Sequence, residues 1–421
     1  MNISILGTGY VGAVTGACFA ELGNDVVFVD IDPAKLELIK TGRSPIFEPG
    51  LDELLTKNLD RISATTDTAQ AIRETDATFI CVGTPSNPDG SIDLRYIESA
   101  SRDIGEVLRE KEGWHMVVMK STVVSGTTTG IVRSTLEAAS GKVAFRDFGL
   151  ASNPEFLKEG SALVDVFSPD RIVIGAEDPR SRGVLETLYT TFDCPKLVVA
   201  IPVAEMIKYV SNAFLATKIS FANEIGNLCK TMGIDTAEVF AGVGLDARIN
   251  PAFFRSGIGF GGSCFPKDVR ALIAQAEAAG LYPKILSSVV AVNEDQPLRL
   301  LALLRKHIPD LEGKRIGLLG LAFKPDTDDI RESRAIPIIE ALQDARADVI
   351  AYDPLAIAHV RSLFPEITYA SSAAEVLESD AVLIITEWKE FEALDYTGKI
   401  VIDGRRVPKA AIGSIYEGVC W

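Results

Sequence analysis

The chain has 421 residues, 47% of them hydrophobic, enough for two or three cored domains. Its formal net charge of −16 argues against nucleic acid or an anionic membrane as a partner, since either calls for an extended basic face. Six scattered cysteines without C-x-x-C spacing, no apolar run long enough for a bilayer and no basic targeting region at the start lead us to expect a reduced, soluble, cytoplasmic protein.

The first half alternates short apolar runs with helical periodicity. Strands are predicted at Ile3–Leu6, Asp25–Val29, Ala77–Val82, Met116–Met119, Arg171–Ile174 and Leu197–Ala200, with helices at Val11–Leu22, Leu94–Arg109 and Thr127–Ala139. From Pro202 to His307 the strand runs stop and a helical region is predicted, with Pro202 in a first helical turn. There Val203, Ile207, Val210, Phe214 and Phe221 share one side of a long helix, a stripe suited to a dimer interface, and Glu205, Lys208 and Asn212 share the other. Strands resume at Arg315–Leu319, Asp348–Ala351, Ala381–Ile385 and Ile400–Ile402, and Ile316–Leu321 echoes Ile3–Gly9 without its third glycine. The expected fold is α/β: two Rossmann-like doubly wound parallel-sheet domains, 1–200 and 308–421, joined by a central helical domain, 201–307, with a long helix.

Gly7-Thr8-Gly9-Tyr10-Val11-Gly12 follows a strand and opens a helix. Gly7 permits the tight turn, Gly9 admits a pyrophosphate to the backbone, and Gly12 lets helix and strand pack closely. Asp30 ends the next strand at the distance needed to accept ribose hydroxyls, which favours NAD; Lys35 beyond it leaves NADP disfavoured without excluding it. Val82-Gly83-Thr84-Pro85 and Lys120-Ser121-Thr122-Val123 place hydroxyls at strand ends, to meet a cofactor or water or to cap helices. In Asn153–Gly160, Glu155 is a candidate base acting through water and Glu159 a neighbour of the nicotinamide; a helix-capping pair fits the spacing equally.

Gly259–Asp268 sets Cys264 between a glycine-rich bend and a Lys267-Asp268 pair, a setting that favours a thiolate. Lys208 and Asn212, one helical turn apart, form a candidate oxyanion site. Lys324, Asp328 and Arg331 follow a strand, and their spacing alone favours a solvated loop. The three histidines lie outside these segments and no zinc-ligand spacing occurs, so no metal is expected and the chemistry must run on Cys, Lys, Asn and carboxylates. A nicotinamide with a nucleophilic thiol points to oxidation beyond the aldehyde, by way of a thiohemiacetal and a thioester that water cleaves.

The motifs GxGYVG (Gly7–Gly12), EPGL (Glu48–Leu51), VGTP, KSTV, NPEFLKEG, AEMIKYVSNAF (Ala204–Phe214), GFGGSCFPKD and FKPDTDDIRES (Phe323–Ser333) together resemble the UDP-glucose/GDP-mannose dehydrogenase family over nearly the whole chain. The resemblance implies four-electron oxidation of a nucleotide sugar by NAD, with Cys264 as nucleophile and Lys208 and Asn212 at the oxyanion. It implies that Asp268 orients Lys208 or the hydrolytic water, and that Thr122 and Glu155 place the water of proton transfer. Asp30, Lys35, Thr84, Thr122, Glu159 and Arg331 would contact NAD beside the Gly7–Gly12 turn with its Tyr10 and Val11. The nucleotide sugar would be held by Glu155, Phe156, Leu157, Lys158 and Glu159, by Phe253, Phe254, Arg255, Ser256 and Gly257, and by Lys208 and Asn212. Gly261, Phe265 and Lys267, then Phe323, Lys324 and Arg405, would complete that set, with Arg248 reaching a neighbouring subunit of a homodimer built on the central helices. Within the family, Phe156-Leu157 resembles the glucose and mannose branches, and Glu387-Trp388 and Asp403–Arg406 resemble UDP-glucose enzymes more than GDP-mannose ones, so UDP-glucose is expected, with GDP-mannose as the alternative. The rival readings are a noncatalytic NAD-binding sensor and a two-electron hydroxyacid dehydrogenase of similar fold.

Overall fold

The computed structural model describes Met1 through Trp421, and the chain divides into two compact units, Met1–Ser211 and Asn212–Trp421. The first is built on β1 (Asn2–Leu6), β2 (Asp25–Val29), β3 (Ile62–Thr65), β4 (Ala77–Ile80), β5 (Met116–Met119), β6 (Gly149–Ser152), β7 (Ile172–Ala176) and β8 (Lys196–Val199). They form one sheet in the order β3-β2-β1-β4-β5-β6-β7-β8. Pairing is parallel as far as β6; β7 meets β6 antiparallel and pairs in parallel with β8, so this last pair runs against the rest. β4 and β5 are buried throughout, as expected of strands covered by helices on both faces.

The second unit carries β9 (Arg315–Leu319), β10 (Asp348–Tyr352), β11 (Thr368–Tyr369), β12 (Ala381–Ile384), β13 (Ile400–Asp403) and β14 (Ile415–Gly418), in the order β11-β10-β9-β12-β13-β14 and parallel throughout. The echo of β1 in β9 extends to hydrogen bonds. Gly7 N–H donates to Val29 at 2.8 Å and Gly320 N–H to Tyr352 at 2.9 Å, each glycine having a positive φ near +95°.

The helix Ile201–Met232 runs on from β8, with Pro202 in its first turn as the sequence predicts. Its faces are inverted relative to an ordinary surface helix. Glu205, Lys208 and Asn212 are buried at 2%, 3% and 6% exposure, whereas Val210, Phe214 and Phe221 are exposed at 49%, 63% and 52%. The predicted helix Thr127–Ala139 divides into a wide π turn at Thr128–Val132 and an α-helix at Arg133–Ser140. Here Glu205 accepts the N–H groups of Gly126 (2.7 Å) and Thr128 (2.9 Å), donors that the start of a helix leaves without a partner.

Candidate active site

The Gly7–Gly12 turn is glycine-bound for its own packing. A Cβ on Gly7 would lie 2.7 Å from the Cys81 carbonyl oxygen, and one on Gly12 would lie 1.9 Å from that of Gly7. Gly9 faces open space where Tyr10 and Val11 begin the helix Tyr10–Glu21, leaving its N-terminal N–H groups approachable by a phosphate. Asp30 accepts the Thr8 N–H (2.7 Å) and hydroxyl (2.6 Å) and the Asp32 N–H (3.0 Å). Burial works to raise its pKa, but these bonds and nearby Lys35 hold it below the usual carboxylate range. The turn and its acidic partner therefore fit a dinucleotide: an open phosphate approach, with an ionised acceptor for the ribose beyond it. Thr84 and Thr122 are half-buried past the ends of β4 and β5, while Ser121 turns inward to donate to Val82 (2.6 Å).

Glu48 joins this turn to the Asn153–Gly160 segment. Its buried carboxylate accepts the Tyr10 hydroxyl and the N–H groups of Gly160 and Ala162, both at 2.7 Å. Glu155 lies in an ion pair with Lys208 at 2.9 Å, both side chains nearly sealed from solvent. It also accepts the Leu157 N–H at 2.5 Å, so it closes its own turn; the next helix, Ala162–Phe167, takes Ser161 as its N-cap. Burial pushes the Glu155 pKa up, yet Lys208, the Leu157 N–H and Lys120 outweigh it and hold the carboxyl low. Two cations lie over the Phe156 ring, the Arg171 guanidinium 3.7 Å and the Lys208 ammonium 5.4 Å from its centre. Lys158 pairs with Asp165 at 3.0 Å, and Leu157 and Glu159 are partly exposed.

In the second unit Cys264 is the exposed cysteine of the six; Cys194 is intermediate and the other four are buried. It is the N-cap of the helix Phe265–Ala278, where the helix dipole favours a thiolate. One turn into that helix, buried Asp268 accepts the Asn212 amide and the Lys267 ammonium, each at 2.6 Å. The bend before Cys264 is pinned from the helix Lys284–His307. Asn293 exchanges hydrogen bonds with Phe260 N–H (2.7 Å) and C=O (3.0 Å), and Gln296 donates to Gly257 (2.7 Å). Gly257 also donates to Asn223 (2.8 Å) and lies so close to Gly404 that a Cβ would stand 2.6 Å from its oxygen. Arg405 belongs to the same neighbourhood, its guanidinium reaching the Ile385 (2.7 Å) and Gly259 (3.4 Å) carbonyls.

Phe323 closes over Gly261 and Gly262, and the Lys324 ammonium lies 5.5 Å from its ring centre. Phe253 is exposed with φ +67°, Phe254 stacks on Phe240 at 4.9 Å, and Arg255 and Ser256 lie between them and Gly257. Arg248 is an exposed side chain paired with its own Asp246 at 2.7 Å. Arg331 pairs with Asp329 (2.6 Å), and His359 reaches Asp328 (3.1 Å), so one histidine does meet a segment that sequence spacing kept apart from it.

Sequence reasoning missed Glu48, Lys120, Asn153, Asn223, Asn293 and Gln296 as residues that shape these groups. Two amides three positions apart, Asn293 and Gln296, in a helix otherwise apolar on that side were the available signal. So was a lysine, Lys120, directly after the wholly apolar β5.

In the first unit, the Gly7–Gly12 turn with the ionised Asp30 beyond it marks a dinucleotide-dependent dehydrogenase. Three domain profiles of the UDP-glucose/GDP-mannose dehydrogenase family match the chain: the NAD binding domain at residues 1–193, the central domain at 202–295 and the UDP binding domain at 317–410. The chain is 50% identical to a UDP-glucose 6-dehydrogenase of Haloferax volcanii over the full length of both, and 42% identical to a GDP-mannose 6-dehydrogenase of Pseudomonas savastanoi, again over both full lengths. Among solved structures it resembles a UDP-glucose dehydrogenase of the hyperthermophilic archaeon Pyrobaculum islandicum with a TM-score of 0.97 at 49% identity, covering 100% of this chain and 97% of the other. The chain belongs to the UDP-glucose/GDP-mannose dehydrogenase family and is an NAD-dependent nucleotide-sugar dehydrogenase. No helix is long and apolar enough to cross a membrane.

Proposed function

We propose that the chain oxidises UDP-glucose to UDP-glucuronate, removing four electrons with two NAD through a covalent adduct on Cys264. The substrate choice is supported by one full-length relative named for UDP-glucose at 50% identity, with three more at 42–44%, against 40–42% for those named for GDP-mannose. The observation that carries the covalent reading is the exposure of Cys264 at a helix N-terminus, beside the buried Asp268 that fixes Asn212.

When bound, NAD accepts one hydride in each oxidation. Ionised Glu155 takes the proton of the C6 hydroxyl through a water that Thr122 helps to place, as a hydride leaves the same carbon and an aldehyde forms. The Cys264 thiolate adds to that aldehyde, and the Lys208 ammonium and the Asn212 N–H meet the resulting oxyanion. Loss of the second hydride from this thiohemiacetal gives a thioester. Water then adds to the thioester, the C–S bond breaks, and the acid leaves with the thiolate restored. Lys267, Lys324 and Arg405 balance the nucleotide's diphosphate locally, as the acidic chain requires. The exposed Val210-Phe214-Phe221 face of the long helix supports a homodimer.

Incubation of the purified protein with UDP-glucose and NAD should yield two NADH for each UDP-glucuronate. Cys264→Ser should bind NAD normally yet form no free acid, or stall as an ester. One NADH per sugar, or acid production by the serine variant at the wild-type rate, overturns the reading. GDP-mannose in the same assay tests the neighbouring substrate.

A further inference from the structure

Lys120, directly after β5, is a buried cation that the mechanism leaves unused. Its ammonium donates to Asn153 Oδ1 at 2.9 Å, and the same oxygen accepts the Tyr189 hydroxyl at 2.5 Å. Asn153 is held at its other end by donation to the Val173 carbonyl at 2.9 Å, and it precedes Glu155 by two residues across Pro154. A cavity of about 60 Å³ lies here, lined by Lys120, Asn153, Glu155, Tyr189, Thr15 and Phe156. Two ammonium groups, Lys120 and Lys208, thus act on a single buried carboxylate.

We propose that Lys120 is a positioning residue for Glu155: it locks the Asn153-Pro154-Glu155 turn through Asn153 and supplies the second positive charge that keeps the carboxylate ionised. The inference rests on Glu155 being the base of the proposed reaction. A buried lysine is costly unless something compensates it, and the neutral amide of Asn153 offers no charge. The groups facing Lys120 are Cys18 on the helix Tyr10–Glu21, Cys81 after β4, Glu155 after β6, Tyr189 after the helix Pro179–Leu188 and Lys208 on the long helix. Asp165 and Arg171 also line the cavity. Burial moves Lys120 itself down to about 8, and burial holds the Cys18 and Cys81 thiols near 12, so Glu155 is the anion whose charge acts on Lys120 at neutral pH.

The test is the pH profile of kcat/KM with UDP-glucose and NAD for Lys120→Met and Asn153→Ala, with NAD binding as the check on folding. Removing the charge should move the acid limb of Lys120→Met about one unit toward neutral pH. Asn153→Ala keeps the charge, so its acid limb should move less while its plateau falls about tenfold or more. An acid limb of Lys120→Met at the wild-type position overturns the charge role; a wild-type plateau in Asn153→Ala overturns the positioning role and decides the case if Lys120→Met does not fold. Glu155→Gln separates the two readings. If it turns over like wild type, Glu155 is not the base; if it is inactive while Lys120→Met is unshifted, the inference about Lys120 alone falls.

Discussion

Asp268 fixes which way Asn212 faces. A carboxylate can only accept, so the amide nitrogen must turn toward Asp268 Oδ2, at 2.6 Å, leaving one N–H of that nitrogen for other work. Asp268→Asn can present an amide nitrogen instead and removes the anion from Lys267, 2.6 Å away. We expect kcat to fall about a hundredfold, the loss of one oxyanion donor, with a smaller change in KM for the nucleotide sugar. Steady-state kinetics with saturating NAD reads this directly, and a change confined to KM assigns the pair to binding.

Lys208→Ala leaves Glu155 as a buried carboxylate without its 2.9 Å partner. Breaking such a pair costs about 3 kcal/mol or more, and Glu155 must pick up a proton at higher pH than before. We expect kcat to drop by roughly a hundredfold or more, together with a lower melting temperature. Retained kcat would confine Lys208 to substrate binding.

His115 ties stability to acid. It is fully buried, contacting Thr78 at 2.8 Å and Lys111 at 2.9 Å, and burial followed by the Lys111 charge pushes its pKa down to about 3. The unfolded chain binds a proton here below about pH 6.5, whereas the folded chain does so only near 3. Stability is therefore lost as pH falls through that window, by up to about 1.4 kcal/mol per pH unit from this group. Denaturant melts of His115→Gln between pH 6.5 and 4 should show a shallower decline than wild type; an equal slope removes His115 as the cause.

Phe214, at 63% exposure, stands in the middle of the exposed stripe of the long helix. Phe214→Glu should convert a dimer to monomers at micromolar concentration, seen by light scattering after gel filtration. A wild-type protein already monomeric there rules out this face as a stable interface.

Strand positions were legible where apolar runs are dense: Asp25–Val29, Met116–Met119 and Arg315–Leu319 have the bounds the sequence predicts. β3, β6, β11 and β14 were not, since segments such as Ile-Ser-Ala-Thr and Gly-Leu-Ala-Ser carry little β-branched apolar content and owe their shape to the strands beside them. The grouping of Lys208 with Asn212 on one helical face was readable from spacing, but not that this polar face is the buried one. Periodicity separates two faces without saying which is inside, and here an ion pair and a carboxylate partner decide it. Glu48 and Lys120 escaped because their partners, Gly160 and Asn153, are distant in sequence.

The likeness of β1 and β9 makes Asp30 and Asp353 counterparts, each just past the second strand of its own sheet. Asp30 answers to Thr8 and Asp32; Asp353 takes the N–H groups of Leu321, Ala322, Leu355 and Ala356 and the Trp388 indole, and is 1% exposed. Asp30 is left partly exposed, whereas Asp353 is sealed from within by the protein's own tryptophan. What sets the second sheet apart is therefore less its missing glycine than an acidic residue already saturated by the chain itself, which leaves nothing there to receive a ribose.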